Sequence, residues 1–188
     1  MVEAREGRRV LYFVDASHFV LGSFLGWIWC FARMFVRAAS GRQRYNVLGA
    51  LNAVTHELIS VINTTYINAE SVCELLRKVA VRGLQVPITL VLDNARYQRC
   101  ALVKDLAKEL GIELLFLPSY SPNLNLIERL WKFVKKEVLN SRQLQDFKKF
   151  QEAIDGCLAD LPTKHRDKLA TLLTHNFQTW DNVSVLKA

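Results

Sequence analysis

The chain is poor in the residues that staple a small fold together. Its 188 residues hold four cysteines, Cys30, Cys73, Cys100 and Cys157, and no CxxC pair. That spacing removes the usual framework of a structural zinc site. Scattered thiols of this kind read as ordinary buried side chains in a reducing compartment. Internal repeats, low-complexity tracts and linker-like stretches are missing too. With 51% hydrophobic and 23% charged residues, the chain is too apolar for disorder. Its length suits one globular domain, with at most a small helical extension.

A membrane-spanning run is also missing. The one stretch that imitates it, FVLGSFLGWIWCFA (19–32), is 14 residues long and follows Arg5, Arg8 and Arg9. A spanning helix needs about 20 apolar residues. Extending this run upstream meets His18 and Asp15, and downstream it meets Arg33 and Arg37 rather than a signal-peptide cleavage site. A buried strand pair accounts for it, and the expectation is a cytoplasmic chain with no membrane partner. Acids are outnumbered by bases: the formal charge is +7 and the pI about 9.4. A basic balance suits a polyanionic partner, either nucleic acid or an acidic membrane surface.

What is present is an ordered series of apolar runs. RVLYFVDAS (9–17) ends on an acid and reads as a strand. GWIWCFARMFV (26–36) reads as extended, and SGRQR (40–44) interrupts it. YNVLGALNAV (45–54) and ELISVINTTY (57–66) read as two strands joined by a tight Thr-His step, so three early antiparallel strands are expected. NAESVCELLRKVAVRG (68–83) predicts a helix, with Asn68 or Ser71 as cap, Gly83 as stop, and Val72, Leu75, Leu76 and Val79 at helical spacing. PITLVLD (87–93) and IELLFLP (112–118) read as strands buried on both faces. Between them, YQRCALVKDLAKELG (97–111) predicts a helix closed by Gly111. A long helix to about Asn140 follows, and residues 143–160 and 164–178 look helical around Pro162. The order β-β-β-α-β-α-β-α predicts an α/β, ribonuclease H-like fold: a mixed five-stranded sheet flanked by helices. Residues 1–142 would form that domain, and 143–188 a C-terminal helical extension packed on it.

Three acids fall at element ends. Asp15 ends the first strand, Asp93 ends the fourth, and Glu128 opens the helix after the fifth. Ligands of open sheets gather beyond the carboxyl ends of parallel strands. If strands one and four are neighbours, the two aspartates emerge side by side. Three converging carboxylates repel one another and need cations; hard oxygen ligands suit Mg²⁺, with Mn²⁺ in its place. Two such ions about 3.5–4 Å apart hold the attacking and leaving oxygens of a phosphoryl transfer. Each acid alone has a plainer reading. Asp15 and Asp93 are also good turn formers. Glu128 stands three residues after Asn125, the spacing of a capping box, and favours the helix dipole. The case for chemistry is the three together.

VLDNARYQRC (91–100), LPSYSPNLNLIERLWKFVKKEV (117–138) and FVDASHF (13–19) resemble the catalytic domain of bacterial insertion-sequence transposases. The branch they resemble is the six-thirty group of the mariner superfamily of DDE transposases. The 34 residues between Asp93 and Glu128 match that superfamily's spacing, and the resemblance covers roughly residues 8–140. Two departures stand out. Leu126 occupies a position where members often carry proline, a pre-organised first helical residue. No helix-turn-helix region precedes the first strand, so the readings that stay open are a fragment, the second half of a split reading frame, or a domain made on its own, with a separate N-terminal helix-turn-helix polypeptide as a candidate partner for end recognition.

The resemblance implies metal-dependent cleavage of a DNA phosphodiester, then attack of the freed 3′-hydroxyl on target DNA, in cut-and-paste transposition. It implies that Asp15 bridges two Mg²⁺ ions, Asp93 holds one and Glu128 the other. It also implies double-stranded transposon ends and target as partners, TA as target dinucleotide, a homodimer on DNA, and a nucleoid-associated location. Asn94 would orient Asp93 or a metal-bound water, or serve as a turn asparagine. His18 is a general-acid candidate that strand alternation turns away from Asp15. Ser119, Tyr120 and Ser121 would contact the DNA backbone from a loop, or shape a turn with Pro122. On the helix, Ile127, Leu130, Val134 and Val138 share an apolar face. Lys132 and Lys135 lie within about 40° of Glu128; with Arg96 and Arg99 they make a candidate phosphate track, or simply a solvated face. Trp131 reads as a core residue or a base-stacking one. Two alternatives stay open: a ribonuclease H-like nuclease that only hydrolyses, and a non-catalytic DNA-binding or regulatory fragment of a transposase.

Overall fold

The computed structural model describes residues 1–22, 31, 43–118, 124–140, 144 and 146–175. A short helix α1 (Val2–Arg5) leads into strand β1 (Val10–Val20), followed by β2 (Arg44–Asn52) and β3 (Leu58–Asn63). Apart from Phe31, the extended segment expected at 26–36 lies outside the described residues. The Thr-His step between β2 and β3 is a tight turn. Asn52 Oδ1 accepts from the N–H groups of Val54 and Thr55 at 2.9 Å each, and His56 takes a positive φ of 61°.

Helix α2 (Ala69–Ala80) starts as its sequence predicts. Asn68 Oδ1 accepts from the Ser71 N–H at 3.0 Å, which satisfies one of the orphan donors of the first turn. Strand β4 (Ile88–Leu92) is buried throughout. A single 3₁₀ turn (Arg96–Gln98) precedes α3 (Ala101–Glu109), so this helix begins four residues later than the sequence suggests. Strand β5 (Ile112–Phe116) then departs from expectation: its residues alternate between buried and accessible, and Leu115 is 51% exposed. The run is apolar, but the strand lies at the sheet edge and only one face is covered.

The sheet order is β3-β2-β1-β4-β5. The β1–β2 and β2–β3 pairs are antiparallel, whereas β1–β4 and β4–β5 are parallel. This is the mixed five-stranded sheet expected from the sequence. Its two faces carry separate cores. On one face, Tyr12, Val14, Leu48, Leu90 and Leu92 pack against Leu75, Leu76 and Val79 of α2 and Val103 and Ala107 of α3. On the other, Phe13, Phe19, Leu51 and Val91 pack against α4 (Ile127–Leu139) through Ile127, Leu130, Trp131, Val134 and Val138. Helices α5 (Phe147–Ala159) and α6 (Arg166–Leu172) extend that second core with Phe150, Ile154 and Leu169. They are shorter than the segments read from sequence. The Tyr45 hydroxyl donates to Asp155 at 2.7 Å and ties α5 to β2. Among the described residues, no helix is long and apolar enough to cross a membrane. Cys73 and Cys157 are buried and Cys100 is partly buried, while Cys30 lies outside the described residues.

Candidate active site

Strand β1 does not end at Asp15; it runs on to Val20. Its antiparallel pairing with β2 continues from Tyr12↔Asn52 to Val20↔Arg44, while its parallel pairing with β4 stops at Phe13↔Val91. The correction sharpens the site. Asp15 sits just where β1 loses its parallel neighbour, the kind of divergence at which open sheets bind ligands. Continuing the β1–β4 register brings Asp93 level with Asp15. Both are in phase with Phe13 and Val91, whose side chains pack in the α4 core.

Asp93 also does turn work. Its Oδ1 accepts from the Ala95 N–H at 3.3 Å, and Asn94 adopts a positive φ of 75°. An asparagine tolerates that left-handed backbone better than most residues. The Asp93 side chain is nonetheless exposed, as are Arg96 and Arg99 just beyond it.

The capping box expected at the start of α4 is not formed. No side chain caps this helix, whose N-cap position is Leu126. The buried Asn125 turns its amide the other way: Nδ2 donates to the Val14 carbonyl at 3.1 Å, the residue before Asp15. A tertiary contact has taken the place of a local cap. The structural explanation for Glu128 therefore weakens, because Asn125 anchors the helix to β1 and leaves the glutamate in the first turn, partly buried.

The three acids share an electrostatic field. The Asp15 carboxyl is pushed up to about 7, chiefly by burial. The Ala16 N–H opposes the shift, the like charges of Asp93 and Glu128 add to it, and Lys135 works against it. Glu128 is also raised, first by burial; Lys132 counters, and Asp93 adds. Burial and like charge both disfavour a carboxylate, and a cation restores it. Among the described residues, no three His, Cys, Asp or Glu side chains are already gathered at metal-holding distance. The donor chemistry nevertheless fits a divalent ion: hard carboxylates only, mutually repelling, with lysines as their nearby positive charges.

His18 is excluded from this cluster. It projects from the opposite face of β1, is exposed, and pairs through Nδ1 with Asn46 Oδ1 at 2.7 Å. Lys132 is exposed on the Glu128 side of α4, and Lys135 Nζ stands 5.8 Å from the Phe19 ring centroid. Trp131 is a core residue, 4% exposed. Ser119, Tyr120, Ser121 and Pro122 lie outside the described residues. One neighbour of the acids escaped the sequence reading. The Tyr97 hydroxyl is pushed up to about 12, first by burial and then by the charges of Asp93 and Asp15, while a hydrogen bond to Gln98 opposes this. Its only sequence signal is its place four residues after Asp93.

The profile of the DDE superfamily endonucleases matches residues 10–151. No curated protein sequence matches the chain. Solved structures show the same fold at low identity. The Mos1 mariner paired-end complex with Mn is 14% identical, with a TM-score of 0.61 over 91% of this chain and 57% of that one. The Mos1 transposase catalytic domain with Raltegravir and Mg is 12% identical, with a TM-score of 0.57 over 96% and 90%. The HTLV-2 integrase catalytic core domain with magnesium is 13% identical, with a TM-score of 0.50 over 81% and 86%. Against the longer relatives, this chain spans 47% to 60% of their length.

Proposed function

Because the chain belongs to the DDE superfamily endonucleases, we propose that it cuts DNA phosphodiesters with divalent metal ions and joins the freed 3′-hydroxyl to target DNA, as a transposase catalytic domain. What supports this reading is that continuing the β1–β4 register puts Asp15 and Asp93 level at the end of adjacent parallel strands, with Glu128 in the first turn of α4 on the same sheet face and its carboxyl raised in part by Asp93.

Asp15, Asp93 and Glu128 would hold Mg²⁺ or Mn²⁺. A bound pair of such ions supplies Lewis acidity, an activated water and alignment of the attacking and leaving oxygens. The protein's own part is positional. The sheet fixes the aspartates, Asn125 fixes the start of α4, and exposed Lys132, Arg96 and Arg99 offer charge to phosphates beside the acids. The charge of partly buried Lys135 acts on Asp15 and opposes the rise of its carboxyl. Solved Mos1 structures include a paired-end complex with a transposon end and a strand transfer complex. Duplex transposon ends, a TA target, a dimer on DNA and membership of the six-thirty branch are proposed for this chain on that likeness and on its motifs.

The deciding experiment incubates the chain with Mn²⁺ and a labelled duplex carrying a pre-cut 3′ end. Joined products are expected. Nicking without joining would reduce the protein to a hydrolytic nuclease, and binding without cleavage would make it a non-catalytic DNA-binding chain. The phosphate track has its own check. Lys132→Ala and Lys135→Ala should each weaken duplex binding, and each should lower the slope of log affinity against log salt by about one. Unchanged slopes would remove those lysines from the DNA path.

A further inference from the structure

Glu128 is held between two anchors, and both land on the backbone surrounding Asp15. Three residues before it, Asn125 donates to the carbonyl of Val14, the residue preceding Asp15. Three residues after it, Trp131 lies against Gly49, and Gly49 is the residue paired directly across from Asp15 in the β1–β2 ladder. The second contact exists only because position 49 has no side chain. A Cβ built there would stand 2.8 Å from Trp131 Cζ2, 2.9 Å from Trp131 Cη2 and 2.9 Å from Leu58 Cδ1. Carbon atoms in good contact stay about 3.5–4.0 Å apart, so even one methyl group would push the indole, and α4 with it, off the sheet. Leu58 Cδ1 ends a flexible, partly buried side chain and can turn aside, but Trp131 is a rigid indole, 4% exposed, with little room to move. Glycine inside a strand costs stability and often marks a close approach; here the thing approaching is the helix that carries the third acid.

We propose that Gly49 is a positioning residue: by letting the Trp131 indole approach the strand opposite Asp15, it sets the height of α4 and hence the separation of Glu128 from the two aspartates. This rests on the metal-dependent reading given above. Mg²⁺ demands near-ideal octahedral geometry, with ligands at about 2.0–2.1 Å. A carboxylate lifted by about 1 Å loses its grip, and a misplacement of that size costs about a hundredfold in rate.

The test is Gly49→Ala in the full chain. Mn²⁺ affinity is read by electron paramagnetic resonance titration without DNA, and cleavage is read separately at saturating DNA. The expected result is Mn²⁺ binding weakened about tenfold or more and kcat lowered about ten- to a hundredfold, with KM for DNA little changed and a native circular dichroism spectrum. Trimming the indole should restore what the methyl group removed, so Gly49→Ala combined with Trp131→Phe is expected to regain much of the Mn²⁺ affinity. A general packing defect would grow worse on the second substitution. Should Gly49→Ala not fold, Trp131→Phe alone carries the test, with weaker Mn²⁺ binding expected from the lost seat. Wild-type Mn²⁺ affinity in Gly49→Ala, or in folded Trp131→Phe, overturns the inference while the metal-dependent reading stands. A parent protein that neither binds Mn²⁺ nor cuts DNA overturns the reading itself, and the inference with it.

Discussion

Asp93→Asn is expected to lower metal-dependent cleavage by about a thousandfold or more while shifting stability by no more than about 0.5 kcal/mol. The two halves of this expectation come from different atoms of the same side chain. In the fold, the work of Asp93 is to accept a hydrogen bond from the Ala95 N–H through Oδ1. An asparagine carbonyl oxygen accepts the same bond, and the side chain is exposed, so little packing or desolvation changes. In the proposed reaction, Asp93 contributes negative charge to a divalent ion, which the amide cannot do. Loss of a ligand from a site that stabilises several kcal/mol of transition-state charge corresponds to about three powers of ten in rate. Single-turnover cleavage with Mn²⁺, beside thermal melts of both proteins, separates the two effects. Cleavage at the parent rate would remove Asp93 from the metal site. A large fall in melting temperature would show that its turn role had been underestimated.

What the sequence made legible was whatever depends on local pattern. The capped α2, the apolar β4 and the places of Asp93 just past β4 and Glu128 in the first turn of α4 were readable, because caps, buried runs and turn residues announce themselves within a few positions. The succession of elements implied a mixed five-stranded sheet, though not by itself that β1 and β4 are neighbours. What escaped depends on partners distant in the chain. Strand β1 passes Asp15 because β2 pairs with it as far as Val20, yet Asp15-Ala16-Ser17-His18 looks like a polar stop. Strand β5 looks like a two-face core strand, and only its edge position uncovers Leu115. Asn125 has the spacing of a cap, but its amide finds a carbonyl 111 residues away. Gly49 is an unremarkable strand glycine until Trp131 is seen lying on it. The three acids could therefore be proposed from the sequence as a set, whereas the contacts that place Glu128 near β1 could not.

Asp15→Asn is expected to stabilise the protein in EDTA at pH 8 while destroying its activity. Its ordinary carboxyl value of 3.8 rises to about 7 in the fold, where burial comes first and the charges of Asp93 and Glu128 add to it. The folded state therefore binds this proton more tightly than the unfolded chain. Its favourable contribution is fully present below about pH 4 and is lost as pH rises through about 7, so metal-free stability declines across that window. The full difference is about 4 kcal/mol by linkage. Water reaching a partly exposed carboxyl reduces this to the order of 2 kcal/mol, or roughly 4–8 °C in melting temperature for a chain of this size. Asparagine carries no charge to desolvate, so the variant should melt higher than the parent at pH 8 and nearly level with it at pH 4. Adding Mn²⁺ should reverse the order at pH 8, because ligands that bind only the folded state raise its stability and the variant has lost a ligand. Equal melting temperatures at pH 8 in EDTA, or a variant that Mn²⁺ stabilises as much as the parent, would mean that Asp15 is neither strained by its neighbours nor relieved by a cation. The agreement of those two signs, instability without metal and stabilisation with it, separates a carboxylate held for chemistry from one that only turns a chain.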